Sequence, residues 1–498
     1  MENIRVRFAP SPTGALHIGG VRTALYNFLL AKKHKGTFIL RIEDTDQNRY
    51  VPGAEEYILE SLLWCGLKPD EGPGFGGEFG PYRQSDRKDI YPQFVEELVR
   101  RGKAYYAYDT PEELEACRQK DPNFKYDSHT RMQLRNSLTL GEQEGPCVVR
   151  LKVPENREVV VQDLIRGEVV FHTNELDDKV LLKADGMPTY HLANIVDDHL
   201  MRITHVIRGE EWLPSTGHHV LLYEAFGWED TMPAFAHLPL ILKPDGKGKL
   251  SKRDGTRLGI PVFPLSWNGE TPEDSFKGFR EFGFDPRAVV NFLALLGWNP
   301  GTEQEIFTME ELAGAFSVEK IGKGGSRFDF DKAKWFNHQY IQATPNEVLA
   351  SEVRPFIEEK GFKPSPEFLH AFCAMLKDRV HFLTEFWEAG HYLLEKEVAF
   401  DHDAVSKKWK PELAAPLAEA AAFLRNQEPF HAARLDEAMK EWMKERQVKP
   451  GEMLPVLRIA LTGALKGPGV FDMMELIGKE QSVQRLERAL HHFTSNAS

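Results

Sequence analysis

The sequence predicts a multidomain protein in which a Rossmann-like α/β domain is split by an α+β insertion and followed by all-α domains. A chain of 498 residues is long enough for several domains. Its first part alternates strand and helix patterns, as a doubly wound parallel sheet requires. After Asp331, nearly every segment has helical periodicity. The expected boundaries are 1–87 and 191–325 for the α/β domain, 88–190 for the insertion, 326–385 for a first helical domain and 386–498 for a helical bundle.

The α/β domain is predicted from a strand-helix-strand-helix succession. Ile4–Phe8 form a short apolar strand, and a helix starts near His17 and runs to Lys33. Thr37–Ile42 form the second strand, and Gly53–Gly66 form the next helix. The pattern resumes after the insertion, with a helix at 191–198, a strand at 203–209 and a helix at 213–227.

The insertion is predicted from short strands separated by polar turns. A Gly/Pro-rich linker, Asp70–Pro81, and a helix, Ile90–Gly102, come before these strands. The predicted strands are 104–108, 147–153, 157–161, 167–171 and 179–184. Such a mixture, with no long helical pattern between the strands, is typical of an α+β module.

Composition narrows the class of protein. There is no run of eighteen apolar residues, and Arg5 and Arg7 interrupt the first apolar strand, so we expect neither a membrane span nor a secretion signal. The 4 cysteines have no metal-like spacing and suit reduced thiols in a cytoplasmic protein. A net charge of −13 disfavours general nucleic-acid binding, although binding depends on where the basic residues lie.

The segment Arg7–Gly20, RFAPSPTGALHIGG, is the first candidate site. It runs from a strand through a tight turn into a helix N-terminus, where free backbone N–H groups and the helix dipole favour phosphate. His17 adds a donor, and Gly19 and Gly20 leave room for a base or a phosphate near the backbone. The alternative is an ordinary strand-turn-helix with a capping histidine.

The second candidate is KLSKR, Lys249–Arg253, in a Gly/Lys-rich loop. Such a loop can be a solvated surface turn, or a lid that neutralises a polyphosphate. Together, HIGG and KLSKR resemble the paired HIGH and KMSKS motifs of class I aminoacyl-tRNA synthetases. Further segments resemble the bacterial-type glutamyl-tRNA synthetases, and the resemblance covers nearly the whole chain: 9–14, 40–46, 186–194, 205–212 and 449–463.

This resemblance implies a reaction in two steps. Glutamate attacks the α-phosphate of ATP to give glutamyl-adenylate and pyrophosphate, and the glutamyl group then passes to the 3′-terminal adenosine of tRNA-Glu. The implied partners are tRNA-Glu, L-glutamate and ATP, with Mg²⁺ carried by ATP, and the implied oligomeric state is a monomer. The insertion would hold the tRNA acceptor end, the residues 326–385 would contact the stem, and the residues 386–498 would bind the anticodon.

A glutamate pocket needs cationic forks for two carboxylates and an anion for the ammonium. Arg7 and Arg208 lie near the carboxyl ends of predicted strands, where open α/β sheets bind ligands, and Glu43 follows the second strand. Tyr190 and Asn194 share a helix face. A fork built for a carboxylate rejects glutamine by a charge and donor mismatch, on the order of 10⁴ or more. The resemblance assigns glutamate binding to Arg7, Ala9, Ser11, Glu43, Tyr190, Asn194 and Arg208.

The resemblance also implies the residues that handle ATP. His17, Lys249 and Lys252 would be catalytic by stabilising phosphate charge, and no protein nucleophile is needed. The implied ATP-binding residues are His17, Gly19, Gly20, Glu211, Leu242, Lys249, Ser251, Lys252 and Arg253.

The chain departs from the family pattern in three places. Gly20 replaces the last histidine of HIGH, which the family tolerates. Some members hold zinc in the acceptor module by cysteines, but Ala104–Thr110 has none, so we expect no zinc and no bound metal in this chain. The segment Pro261–Ser275 looks like an extra insertion beside the lysine loop.

Three alternatives stay open. The enzyme could also charge tRNA-Gln, it could form an acyl-adenylate without tRNA, or it could be an inactive tRNA-binding paralogue. In the bundle, the residue types that read RNA bases are present, although core packing is the favoured role for any single one of them. These residues are Arg379, Trp387, Trp442 and Arg446.

Overall fold

The computed structural model describes residues 3–131, 134–138, 140–141, 144–269 and 271–495. The strands are β1 Arg5–Phe8, β2 Thr37–Leu40, β3 Ala104–Ala107, β4 Asn136–Ser137, β5 Val148–Leu151, β6 Glu158–Asp163, β7 Gly167–His172, β8 Val180–Leu182, β9 His205–Gly209, β10 Ala234–Leu238, β11 Ile241–Leu242 and β12 Ser326–Arg327.

The helices fall in two groups. The helices before residue 316 are α1 Ile18–Lys33, α2 Ala54–Trp64, α3 Tyr91–Arg100, α4 Pro111–Lys120, α5 Ser128–Arg131, α6 Tyr190–Leu200, α7 Thr216–Phe226, α8 Lys252–Leu258, α9 Phe279–Phe282, α10 Pro286–Leu295 and α11 Met309–Ala315. The later ones are α12 Phe330–Ala343, α13 Asn346–Glu359, α14 Pro366–Leu376, α15 Glu385–Leu394, α16 His402–Lys408, α17 Ala414–Arg425, α18 Ala432–Glu445, α19 Pro450–Thr462, α20 Val470–Ile477 and α21 Lys479–Ser495. Short 3-10 helices cover Gln47–Arg49, Ser85–Arg87, Thr173–Glu175, Glu210–Ser215, Glu229–Thr231, Pro272–Asp274, Val318–Lys320, Lys377–Arg379 and Pro411–Leu413.

The chain divides into two compact units. The first runs through Glu281 and includes Pro286–Ala333. The second consists of Phe282–Asp285 and the chain from Lys334 onward. The division into four domains by residue number stays a prediction, and residues 1–2, 132–133, 139, 142–143, 270 and 496–498 of those ranges lie outside the described residues.

The centre of the first unit is a four-stranded parallel sheet, in the order β10-β9-β1-β2. Arg7 pairs with Ile39 and Arg208 with His237, so the carboxyl ends of these strands lie at one edge of the sheet. The predicted α/β class with a parallel sheet is confirmed. Because ligands of open parallel sheets bind at that edge, the fold brings the strand-end residues to one place.

Between β2 and β9 the chain forms antiparallel structure. β4, β3, β5 and β8 make one sheet, and β6 and β7 make a separate hairpin. The hairpin turn contacts the edge strand β10 of the parallel sheet, because the backbone N–H of Leu164 donates to the carbonyl of Phe235 at 2.8 Å. One end of this hairpin therefore reaches the strands that carry the pocket.

The second unit is helical, as its periodicity predicts. Its core is built from side chains with no exposed surface, such as Leu376, Leu457 and Leu486. Trp442 is 2% exposed and packs in this core, with the Arg446 guanidinium 5.1 Å from its ring centroid. Trp442 therefore serves packing, which is the role favoured for it from the sequence.

No helix in the described part of the chain combines the length and the apolar character that crossing a membrane demands.

Candidate functional site

A cavity of about 610 Å³ lies at the carboxyl edge of the parallel sheet. It brings together all seven predicted glutamate-binding residues and most of the predicted ATP-binding residues. The predicted residues that line it are Arg7, Ala9, Ser11, His17, Gly19, Gly20, Glu43, Tyr190, Asn194, Arg208, Glu211, Lys249 and Ser251. Leu242, Lys252 and Arg253 are not among its lining residues.

His17 lies just before helix α1 and caps it. Its Nδ1 accepts from the backbone N–H of Gly19 at 3.1 Å, which places the ring proton on Nε2. Nε2 is buried and has no hydrogen-bond partner among the described residues. Burial, with a smaller effect of Lys249, lowers the pKa of His17 to about 4. His17 is therefore a neutral hydrogen-bond donor that can give its Nε2 proton to a ligand. It also caps helix α1, as the alternative interpretation of a capping histidine predicts.

Gly20 is needed for packing as well as for space. A Cβ at this position would lie 2.5 Å from Leu16 Cδ1, whereas a Cβ at Gly19 would meet only His17 Nδ1, at 3.5 Å. The start of helix α1 is thus open on the side of Gly19, where a phosphate could approach the backbone N–H groups.

A chain of buried charges of alternating sign stands behind one wall of the cavity, which its members Arg7 and Glu43 line. Arg7 donates to both carboxylate oxygens of Asp198, at 3.0 and 3.2 Å. Arg41 donates to the same carboxylate at 2.7 Å and to Glu43 at 2.9 Å. Burial opposes the charge on Asp198, but Arg7 and Arg41 outweigh it and lower the pKa of Asp198. Arg41 is likewise held charged, since Asp198 and Glu43 overcome its burial and raise its pKa.

Arg208 differs from Arg7 because all its partners are neutral. It donates to Tyr190 Oη at 2.7 Å, Thr216 Oγ1 at 2.9 Å and His237 Nε2 at 3.0 Å. Longer contacts reach the Trp212 carbonyl at 3.3 Å and His219 Nδ1 at 3.4 Å.

No carboxylate of the described residues lies within ion-pair distance of Arg208. Its side chain is buried, and burial lowers its pKa. A buried guanidinium without a directly paired carboxylate favours an anionic ligand, and the two longest contacts are those that a carboxylate replaces at least cost.

Helix α6 connects the two ends of the pocket. Tyr190, its first residue, accepts from Arg208, and Asn194 donates to Glu43 at 2.9 Å. Asp198 follows after one more turn, so the three side chains lie on one helix face. This spacing could have revealed Asp198 from the sequence, where it was missed. Arg41, Thr216, His219 and His237 were missed as well.

The lysine loop begins a helix. Ser251 caps α8 and forms a capping box with Asp254, which makes Lys252 the first helical residue. Lys249 Nζ donates to Glu211 at 3.1 Å, at the rim of the cavity. Lys252 Nζ instead donates to the carbonyl of Asp274 at 2.9 Å, within the extra segment that was singled out from the sequence.

Leu242 is not among the residues that line the cavity, and its assignment to ATP binding through its backbone stays a prediction. Its carbonyl accepts from the backbone N–H of Phe328 at 3.0 Å, as part of the pairing of β11 with β12. Leu240 and Ile241 line the cavity at this strand instead. Among the described residues, histidine, cysteine, aspartate and glutamate form no cluster of three that could hold a metal ion.

Comparison with known proteins agrees with this geometry. Residues 3–335 match the family of class I tRNA synthetases (E and Q), catalytic domain, and residues 348–490 match the anticodon binding domain family. The chain belongs to the class I tRNA synthetases (E and Q) and carries their catalytic domain followed by an anticodon binding domain.

Its relatives include proteins named glutamate–tRNA ligase. One from Porphyromonas gingivalis is 55% identical over 98% of this chain and 99% of the relative. One from Bacteroides thetaiotaomicron is 53% identical over 98% of this chain and 99% of the relative. The crystal structure of a glutamate tRNA ligase from Elizabethkingia meningosepticum, in complex with its amino acid, has a TM-score of 0.93 at 47% identity and covers 98% of this chain and 99% of that one.

Proposed function

We propose that this protein is a glutamate–tRNA ligase that activates L-glutamate with ATP and transfers it to the 3′-terminal adenosine of tRNA-Glu. One observation carries the proposal: a single cavity joins the buried, uncompensated charge of Arg208 to the phosphate-binding features of His17 and helix α1. The similarity to glutamate–tRNA ligases along the whole chain supports it.

In this proposal, the charged groups of glutamate bind to side chains of opposite charge in the cavity. Arg208 receives one carboxylate, because no carboxylate of the described residues pairs directly with its guanidinium. Glu43, held by Arg41 and Asn194, accepts from the α-ammonium. Arg7 is already paired with Asp198, so it adds hydrogen bonds and positive potential with less net charge than Arg208.

ATP lies along the start of helix α1. The N–H of His17 Nε2 and the helix N-terminus donate to phosphate oxygens, and Lys249 moves from Glu211 onto the outer phosphates. Attack by the glutamate carboxylate on the α-phosphorus forms the acyl-phosphate bond and releases pyrophosphate. The chain's contribution is positioning and charge stabilisation. Mg²⁺ enters with ATP, held by phosphates and water.

The tRNA binds in the arrangement that the family implies. The antiparallel module between β2 and β9 receives the acceptor end, the first helical domain contacts the stem, and the helical bundle of the second unit reads the anticodon. The 2′-OH of the terminal adenosine then attacks the carbonyl carbon of the adenylate, and AMP leaves. We propose that the protein does this as a monomer in the cytoplasm.

Aminoacylation of purified tRNA-Glu and tRNA-Gln with labelled glutamate, with and without ATP, tests the proposal. Charging of tRNA-Glu alone, only with ATP, is the expected result. Charging of both would mean that the enzyme is non-discriminating and that Glu-tRNA-Gln needs an amidotransferase downstream. Binding of tRNA without charging would refute the proposal in favour of an inactive paralogue.

A further inference from the structure

A buried relay connects the β6–β7 hairpin to Arg208. Asp163, the last residue of β6, has its Oδ2 2.6 Å from Nδ1 of His237. Nε2 of the same imidazole accepts from Nε of Arg208 at 3.0 Å. Asp163 and His237 are both without exposed side-chain surface. Two side chains that have no place in the mechanism above therefore stand directly behind the guanidinium that is proposed to bind glutamate.

The direction of each hydrogen bond in this relay is determined. Arg208 is a donor only, so Nε2 of His237 has to be an unprotonated acceptor, and the ring proton has to lie on Nδ1. Thr216 agrees with this: its Oγ1 accepts from Arg208 at 2.9 Å and lies 3.2 Å from the same Nε2, toward which its own proton can point. A doubly protonated ring would set two donors against each other at Nε2.

Asp163 is itself held in one orientation. Its Oδ1 accepts from the backbone N–H groups of Ile165 and Arg166, at 2.9 and 2.8 Å, in the hairpin turn. Oδ1 also accepts from the backbone N–H of His237 at 3.4 Å, and Oδ2 faces its imidazole. The carboxylate therefore accepts the Nδ1 proton, and no other tautomer of His237 satisfies both of its neighbours.

We propose that Asp163 is a positioning residue for glutamate binding: it fixes His237 as the Nδ1–H tautomer, so that Nε2 accepts from Arg208 and orients the guanidinium toward the carboxylate of the substrate. This inference rests on the proposed function and extends it. It places a determinant of the amino-acid pocket on the inserted hairpin, remote in sequence from every residue predicted to bind glutamate.

The substitution Asp163→Asn tests the tautomer. The backbone N–H groups of Ile165 and Arg166 keep the amide oxygen at the Oδ1 position, so the amide NH₂ faces Nδ1 of His237 as a donor. His237 then has to carry its proton on Nε2, against the Nε–H of Arg208. We expect the KM for glutamate to rise about tenfold, because buried donors are left opposed, while the KM for ATP stays within about twofold.

His237→Gln provides the rescue. Its side-chain amide can present a carbonyl oxygen to Arg208 whatever residue stands at 163, so the KM for glutamate should stay within about threefold of wild type. The double variant Asp163→Asn/His237→Gln should match His237→Gln alone. If Asp163 had only a structural role, the effects of the two single substitutions on the KM for glutamate would instead add in the double variant. If Asp163→Asn folds poorly, His237→Leu takes its place, because it removes the acceptor without altering the hairpin turn. We expect it to raise the KM for glutamate.

Glu168→Gln is the matched control, because Glu168 lies on the same hairpin in an exposed pair with Gln162 at 2.9 Å. Its KM for glutamate should equal that of wild type. Nitrogen-15 NMR of the imidazole, assigned through the loss of signals in His237→Gln, reports the tautomer independently of activity. The expected change is from Nδ1–H in wild type to Nε2–H in Asp163→Asn.

Three outcomes would overturn the inference. A wild-type enzyme that charges glutamate, with an unchanged KM for glutamate in Asp163→Asn, refutes the positioning role and leaves the proposed function intact. An Nε2–H tautomer in the wild type refutes the relay itself. A wild-type protein that charges no glutamate refutes the proposed function, and this inference falls with it.

Discussion

Arg41 has no exposed surface, and it joins the carboxylates of Glu43 and Asp198. We predict that Arg41→Met lowers the free energy of unfolding of the first unit by about 3–5 kcal/mol, because two buried carboxylates lose their shared partner. Denaturant unfolding measures this. Arg83→Met is the control, since Arg83 pairs with Glu55 near the surface and should change stability by less than about 1 kcal/mol. Equal effects of the two substitutions would contradict the buried network.

Buried histidines give the first unit an acid-sensitive stability. Burial lowers the pKa of His17 to about 4 and, with the neighbouring His218 and Lys179, that of His191 to about 3. The unfolded chain binds these protons near pH 6.5. Between pH 6.5 and 4 the unfolded state thus holds more protons than the folded state, and stability falls as the pH falls.

We predict a slope of up to about 1.4 kcal/mol per pH unit for each such histidine in this window. Unfolding measured at pH 7, 6, 5 and 4.5 should show a shallower loss for His191→Gln than for wild type. Parallel curves for the two proteins would mean that His191 is not buried in its neutral form.

The residues of the pocket differ in how far the sequence could predict them. Arg208 and Glu43 stand at strand ends with an obvious charge requirement, and Tyr190 and Asn194 share a helical spacing. The neutral partners of Arg208 have no such signal, because Thr216 and His237 come from α7 and β10 and meet the guanidinium only when the sheet is assembled. Their role depends on tertiary structure that no local pattern contains.

At the scale of elements, the turn from β1 into α1 and the lysine loop also differ in how far the sequence could predict them. The sequence predicted both helix α1 and its cap at His17 within one residue. It could not predict where Lys252 points, because its partner Asp274 lies 22 residues later in a segment without periodicity. The strand β11 is only two residues long, so no periodicity in the sequence indicates which backbone groups near Leu242 face the cavity.

We predict opposite effects for the two partners of the lysine loop. Lys252→Met should lower kcat for charging at least about tenfold with unchanged tRNA affinity, because a phosphate-neutralising charge is lost. Asp274→Asn should lower the KM for ATP about twofold, since an exposed ion pair that competes with the phosphates is weakened.

Steady-state kinetics and a tRNA-binding assay measure both effects. Lys247→Met is the control and should behave as wild type, because Lys247 is an exposed lysine of the same loop and is not among the residues predicted to bind ATP. If Lys252→Met retains full activity, the lysine is not a phosphate ligand, and if Asp274→Asn raises the KM for ATP, the ion pair supports binding instead of competing with it.

At the scale of the whole molecule, two compact units with separate cores predict two calorimetric transitions. Leu457→Ala removes a fully buried side chain from the second unit and should cost about 2–5 kcal/mol there. We predict that one transition moves down by on the order of 10 °C while the other stays in place. A single transition that moves as a whole would show that the units unfold together.

The uncompensated charge of Arg208 has a consequence for the protein's lifetime. Burying that cation makes folding less favourable, and a dicarboxylic ligand that binds only the folded chain reverses the loss. Glutamate at one hundred times its Kd would add about 2.7 kcal/mol to the free energy of unfolding. We therefore expect glutamate binding at Arg208, as proposed, to protect the protein from unfolding and proteolysis most when glutamate is plentiful and least when it is scarce.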